Sequence, residues 1–123
     1  MRRPPLEGTC HCGAVRVTLP RRPRTLTACN CSICRRYGTL WAYYQAAQVG
    51  LAHAPGATAW YAWGERSIHF VRCATCGCVT HYEDARRPRS SRMGVNARLF
   101  DPEALGEVRI RRLDGARTWK VLD

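Results

Sequence analysis

Phe70-Val71-Arg72-Cys73-Ala74-Thr75-Cys76-Gly77 decides how this chain is read. The run Ser67 to Arg72 has the look of a strand, and it feeds a Cys-x-x-Cys-Gly turn. Such a turn brings two sulfurs close together, because the chain folds back and the glycine tolerates positive φ. In tetrahedral zinc each Zn–S bond is about 2.3 Å, which sets ligand sulfurs roughly 3.8 Å apart.

Two further cysteine groups lie upstream, Cys10-His11-Cys12-Gly13 and Cys29-Asn30-Cys31-Ser32-Ile33-Cys34, and an eighth cysteine, Cys78, follows the third group. A Cys-x-Cys pair puts both side chains on one face of an extended chain. Ideal strand spacing is too wide for one ion, so the chain must bend there, and Gly13 permits a bend after Cys12. The seven grouped thiols divide into four and three. Four thiolates close a structural site, whereas three leave a fourth position open, the pattern of a catalytic zinc. Spacing does not force which groups join. Cys78 or a histidine could complete a second closed site around Cys29, Cys31 and Cys34, and otherwise Cys78 reads as a buried free thiol.

With 123 residues the chain has the size of one domain, 1–123, and metal sites would add usefully to so small a core. Hydrophobic residues at 46% and charged residues at 24% exclude a disordered chain. The basic, proline-containing start lacks the apolar stretch of a signal peptide, and no run of about 18 apolar residues exists to span a membrane. The expectation is a cytoplasmic protein in a reducing compartment, where eight cysteines speak for metal or redox chemistry rather than disulfides.

The net charge of +11 rests on nineteen arginines and one lysine. Seven thiolates with two zinc ions would lower it to about +8. The arginines are scattered, with clusters at Arg21-Arg22-Pro23-Arg24, Arg86-Arg87-Pro88-Arg89 and Arg111-Arg112. A solvated surface is the first reading and an acidic partner, nucleic acid included, the second.

The rest of the chain reads mainly as strand. Ala14 to Leu19 alternates, with Val15, Val17 and Leu19 on one side. Leu26 to Cys29, Thr39 to Tyr44, Ala57 to Trp63, Val79 to Glu83, Ser91 to Asn96 and Val108 to Leu113 are further strands. Turn signals at Pro55-Gly56, Gly64-Glu65, Arg86 to Arg89 and Asp114-Gly115 separate them. Helix is limited to short turns at Ser32 to Tyr37 and Pro102 to Leu105, the latter with Asp101 as cap. The pattern predicts an all-β (mainly) fold of antiparallel sheets.

Among other polar residues, His11 points away from any metal between its flanking cysteines. His69 and His81 sit in strands as packing or surface residues, and His53 in a loop. Trp41, Tyr43, Tyr44, Trp60, Tyr61 and Trp63 are core and sheet residues, some of them candidates for a cleft wall beside an open zinc.

Taken in order, Gly8-Thr9-Cys10-His11-Cys12-Gly13-Ala14-Val15-Arg16, Cys29-Asn30-Cys31-Ser32-Ile33-Cys34-Arg35-Arg36-Tyr37-Gly38 and Phe70 to Gly77 resemble the three motifs of the glutathione-dependent formaldehyde-activating enzyme family, which also includes the centromere-protein-V group. Val95 to Pro102 and Gly115 to Lys120 resemble its closing segments, so the likeness runs from Gly8 to about Lys120. The resemblance implies a β-tent fold. It implies a structural zinc on Cys10, Cys12, Cys73 and Cys76, and a second, more labile zinc site at Cys29, Cys31 and Cys34, where the family's chemistry is assigned. The implied reaction is carbon–sulfur lyase chemistry on a small thiol or aldehyde substrate. It joins glutathione and formaldehyde into S-hydroxymethylglutathione, or cleaves that adduct. Without metal, one of the three cysteines could itself be the nucleophile, activated by Arg35 and Arg36. A non-catalytic zinc-stabilised binding module for nucleic acid or a protein, and a zinc store or redox sensor, are the alternatives.

Overall fold

The computed structural model describes residues 5–86 and 88–122. Ten strands form two sheets. β1 (Leu6–Thr9), β2 (Arg16–Leu19) and β5 (Gly50–Ala52) make a three-stranded antiparallel sheet. The other seven are β3 (Thr25–Cys29), β4 (Trp41–Gln45), β6 (Thr58–Tyr61), β7 (Ile68–Cys73), β8 (Val79–Asp84), β9 (Arg92–Asn96) and β10 (Arg109–Leu113), in the order β10-β3-β4-β9-β8-β7-β6. Among the described residues helix is confined to α1 (Ser32–Tyr37), α2 (Pro102–Leu105) and two 3₁₀ turns at 46–48 and 97–99. The Asp101 side chain accepts from the Glu103 N–H at 2.9 Å and so caps α2 as its sequence suggests. No described helix is long and apolar enough to cross a membrane.

The fold is mainly β, and eight of the ten strands fall where alternation and turn signals put them. β1 (Leu6–Thr9) and β5 (Gly50–Ala52) lie outside the strands that the sequence predicts; each contains a glycine and only one large apolar residue, Leu6 or Leu51, so neither shows alternation. The turn expected at 86–89 includes Arg87, which lies outside the described residues. Pairing is antiparallel except between β10 and β3, which run parallel in the register Leu113↔Cys29. A parallel pair needs a long crossover, and here nearly the whole remaining chain, residues 30–108, supplies it.

Side-chain parity assigns the two faces of the large sheet to different tasks. On β4 and β9, Ala42, Tyr44, Met93 and Val95 are buried in one cluster with Val15, Val17 and Leu19 of the small sheet region. Each fully buried aliphatic side chain there is worth about 1.5–3 kcal/mol. The alternate residues, Trp41 and Tyr43, belong to a second, aromatic cluster with Phe70, Tyr82 and Cys34. Trp41 meets Tyr82 edge-on at 5.0 Å between ring centroids.

Gly94, opposite Tyr82 on β8, leaves the room that this ring occupies, for a Cβ at Gly94 would collide with the ring. Gly94→Ala is therefore expected to displace Tyr82 and cost about 1–3 kcal/mol of stability. Urea unfolding, followed with the fluorescence of the neighbouring Trp41, checks this. An unchanged midpoint and unchanged emission would contradict it.

Candidate metal centre

Two knuckles of similar build carry four of the thiols. Cys10 is hydrogen-bonded across a short turn, with Cys10 N–H donating to Val15 O and Gly13 N–H to Cys10 O, both at 3.1 Å, and Gly13 takes φ 82°. Cys73 ends β7, Gly77 N–H donates to Cys73 O at 3.0 Å, and Gly77 takes φ 81°. Only a residue without Cβ adopts that conformation cheaply, so both glycines set the curvature that aims the sulfurs inward. The Sγ atoms of Cys10, Cys12, Cys73 and Cys76 all lie within 4.8 Å of one another. Cys10 to Cys12 is 3.7 Å and Cys12 to Cys73 is 3.6 Å, close to the edge of a tetrahedral zinc–thiolate site.

Backbone donors point at these sulfurs. Val15 N–H lies 3.3 Å from Cys10 Sγ, and Cys76 N–H lies 3.5 Å from Cys73 Sγ. The N–H groups of Cys78 and Cys12 hold the Cys76 thiol down at about 5. The Ala14 N–H acts to lower Cys12, but contact with the Cys73 thiol, desolvation, and contact with the Cys10 and Cys76 thiols together raise it to about 11. One member of the cluster is thus ready to ionise and its neighbour is not. A cation would reverse that penalty.

The other cluster gathers Cys29, Cys31 and Cys34, whose sulfurs also lie within 4.8 Å of one another. Cys29 ends β3, Cys31 is the residue before α1, and Cys34 sits in the first turn of that helix. The Cys31 sulfur takes the place of a capping hydroxyl, accepting from Cys34 N–H at 3.5 Å. Desolvation opposes ionisation of Cys31, yet the Cys34 N–H and the neighbouring thiols bring it below the ordinary thiol range. Burial pushes Cys29 and Cys34 up. The indole Nε1–H of Trp41 donates to Cys34 Sγ at 3.4 Å. No fourth His, Cys, Asp or Glu joins this cluster among the described residues.

A cavity of about 350 Å³ opens over these three sulfurs. Its walls are Trp41, Tyr43, Phe70 and Tyr82, and the exposed Trp63 and Trp119 stand at its rim. Arg92 contributes the guanidinium, 4.4 Å over the Tyr43 ring, and Glu65 the carboxylate. Trp41, Tyr43 and Trp63 of the aromatic candidates face this space. Tyr44 instead packs in the aliphatic core, its hydroxyl donating to Arg21 O at 2.9 Å. Trp60 stacks on His69 at 3.8 Å.

Several expectations need correction here. Arg35 and Arg36 are exposed and do not line the cavity, and Arg36 Nη1 donates to Ser32 O at 2.7 Å. Cys78 is half-buried rather than buried. Its thiol meets the His11 N–H and the Cys76 thiol, beside the four-thiol cluster and away from the three-thiol one. No histidine completes the smaller cluster. His11 and His53 are exposed, and the His81 ring bonds Thr80 Oγ1 through Nδ1 at 2.8 Å. Arg92 carries no site signal in the sequence, and Asp114-Gly115, which frame Cys29 from the C-terminal side, read there only as a turn opening a closing segment, since their neighbourhood depends on β9 and β10 entering the sheet.

Fold and clusters together define a mainly β protein whose grouped thiols are compatible with zinc. The family model described as glutathione-dependent formaldehyde-activating enzyme matches residues 5–110, and the chain belongs to that family. A protein of Rhodobacter sphaeroides with a solved crystal structure is similar, at 32% identity and a TM-score of 0.68, over 85% of this chain and 99% of that one. No curated protein matches the sequence significantly.

Burial, and then the charge of His53, lower His81 to about 4, below the ordinary value near 6.5. Glu83, 3.9 Å from Nε2, does not offset this. The unfolded chain therefore binds more protons in this window. The stability tied to the neutral ring is present above pH 6.5 and is lost as pH falls toward 4. Thermal melts across that range are expected to show a falling transition temperature, and His81→Gln a flatter pH profile. Parallel profiles for the two proteins would contradict the assignment.

Proposed function

We propose that this protein is a zinc enzyme of carbon–sulfur lyase type, one domain over residues 1–123, acting on a thiol adduct such as S-hydroxymethylglutathione. In this reading Cys10, Cys12, Cys73 and Cys76 hold a structural zinc. Cys29, Cys31 and Cys34 hold a second zinc with one coordination position open. The observation that carries the proposal is that the three thiols line the aromatic cavity, with no fourth protein donor among the described residues. The family's description, formaldehyde activation dependent on glutathione, supports the substrate class.

A zinc ion at the smaller site would supply a charge that stabilises a substrate sulfur as thiolate near neutral pH. The chain's own groups do the rest. Trp41 Nε1–H and Cys34 N–H hold the sulfurs of Cys34 and Cys31 in place. The aromatic walls exclude water from the adduct. Arg92, already oriented over Tyr43, offers paired donors to a carboxylate of the thiol. Burial and the neighbouring Tyr43 keep the Tyr82 phenol protonated, so it is an O–H donor in the cavity wall. In cleavage the hydroxymethyl O–H gives its proton to solvent water, the carbon–oxygen double bond forms, and the carbon–sulfur electron pair leaves with sulfur as the thiolate. In synthesis the same atoms run in reverse.

Metal analysis of the reduced protein is expected to give about two zinc ions per chain, and about one in Cys31→Ser with the fold retained. Release of formaldehyde from S-hydroxymethylglutathione should be lost in that variant. Cys73→Ser should lose cooperative folding. Global unfolding of Cys31→Ser would make the smaller site structural and overturn the reading.

A further inference from the structure

Asn30 stands between two of the three thiols, and every polar group it has toward the C-terminal segment is engaged. Its N–H donates to Leu113 O at 3.1 Å, its Nδ2 donates to Asp114 Oδ1 at 3.0 Å, and its Oδ1 accepts from Ala116 N–H at 3.0 Å. The second oxygen of Asp114 accepts from Thr118 N–H at 3.3 Å and Thr118 Oγ1 at 2.9 Å. The Asp114 main chain closes the same loop, accepting from Trp119 N–H at 2.7 Å and donating to Lys120 O at 2.9 Å. Residues 114–120 are thereby fastened to the one residue that separates Cys29 from Cys31.

The loop also touches the thiols directly. A Cβ on Gly115 would lie 2.5 Å from Cys29 Sγ and 3.4 Å from both the Cys31 Cβ and the Trp119 ring. A backbone without a side chain therefore lies against the sulfurs, and Gly115 and Trp119 line the aromatic cavity together with the three thiols. An extended Cys-x-Cys segment holds its sulfurs too far apart for one ion, so something must hold residue 30 in its bent position. The contacts of Asn30 supply that restraint.

We propose that Asn30 and Asp114 are positioning residues for the three-cysteine site: their carboxylate–amide clamp fixes the Cys29–Cys31 spacing and holds Gly115, part of the cavity lining, against Cys29. This rests on the reading of those cysteines as a metal site. Metal retention there depends on the loop as well as on the thiols. The smaller site is completed only when the last strand and its loop are in place.

The full-length protein loaded with Co²⁺ reports each cluster through its thiolate-to-cobalt absorption, and Cys31→Ser identifies the share of the smaller one. Asn30→Ala and Asp114→Ala are each expected to release that cobalt to a chelator at least tenfold faster, with the four-thiol bands unchanged. Gly115→Ala should shift the smaller site's absorption. The exchanged pair, Asn30→Asp with Asp114→Asn, keeps an acceptor for Ala116 and for Thr118 and a donor between the two positions, so it should recover most of the lost retention, which general loosening would not produce. Wild-type release rates in the single variants, or an exchanged pair no better than either single variant, would overturn the clamp. If the wild-type protein itself shows no second cobalt, the metal reading fails separately. The clamp is then read from iodoacetamide labelling of Cys29, faster in Asp114→Ala if the clamp holds and unchanged if it does not.

Discussion

Four sulfurs from two distant turns meet within 4.8 Å, and much else follows from that meeting. Cys10 and Cys12 leave β1, while Cys73 and Cys76 leave β7, so the small sheet and the far half of the large one converge at one point. Cys10 and Cys73 are themselves buried in the aliphatic core. Their thiols are taken out of water with few polar partners other than each other and a few backbone N–H groups. Ionised thiols so close together would repel strongly, and a shared cation removes that conflict. A metal held there would add to the stability of a small domain whose core alone is modest.

The three-thiol cluster is framed by different means. It has a six-residue helix, an indole N–H, and a loop from the opposite end of the chain held by hydrogen bonds, one of them to a carboxylate. Cys34 is buried among Trp41, Phe70 and Tyr82, with Cys29 and Cys31 packed against them. The four-thiol cluster instead joins buried Cys10 and Cys73, in the aliphatic core, to exposed Cys12 and half-buried Cys76.

Much of this was legible in the sequence. Val15, Val17 and Leu19 alternate because one face of β2 is buried, and they are fully buried. Both cysteine knuckles announce themselves by a glycine that takes positive φ. What stayed hidden was long-range. Nothing local says that Leu113 lies beside Cys29 in a parallel pair, so Asp114 and Gly115 could not be placed at the site. Arg35 and Arg36 adjoin Cys34 in sequence yet face solvent on the helix, while Arg92, nearly sixty residues on, reaches the cavity through β9. Cys78 was misplaced as a buried thiol because its partner, the His11 backbone, comes from the other end of the chain.

The division of labour along β4 and β9 has an implication for how such a scaffold diversifies. Odd-numbered positions 41 and 43 shape the chamber, and even-numbered 42 and 44 shape the interior that holds the sheets together. Substitutions confined to the first set would alter which molecules are admitted without disturbing the second. A lineage built on this plan can therefore change its chemistry of recognition by point replacement, whereas inserting a single residue in either strand would exchange the two surfaces and destroy both.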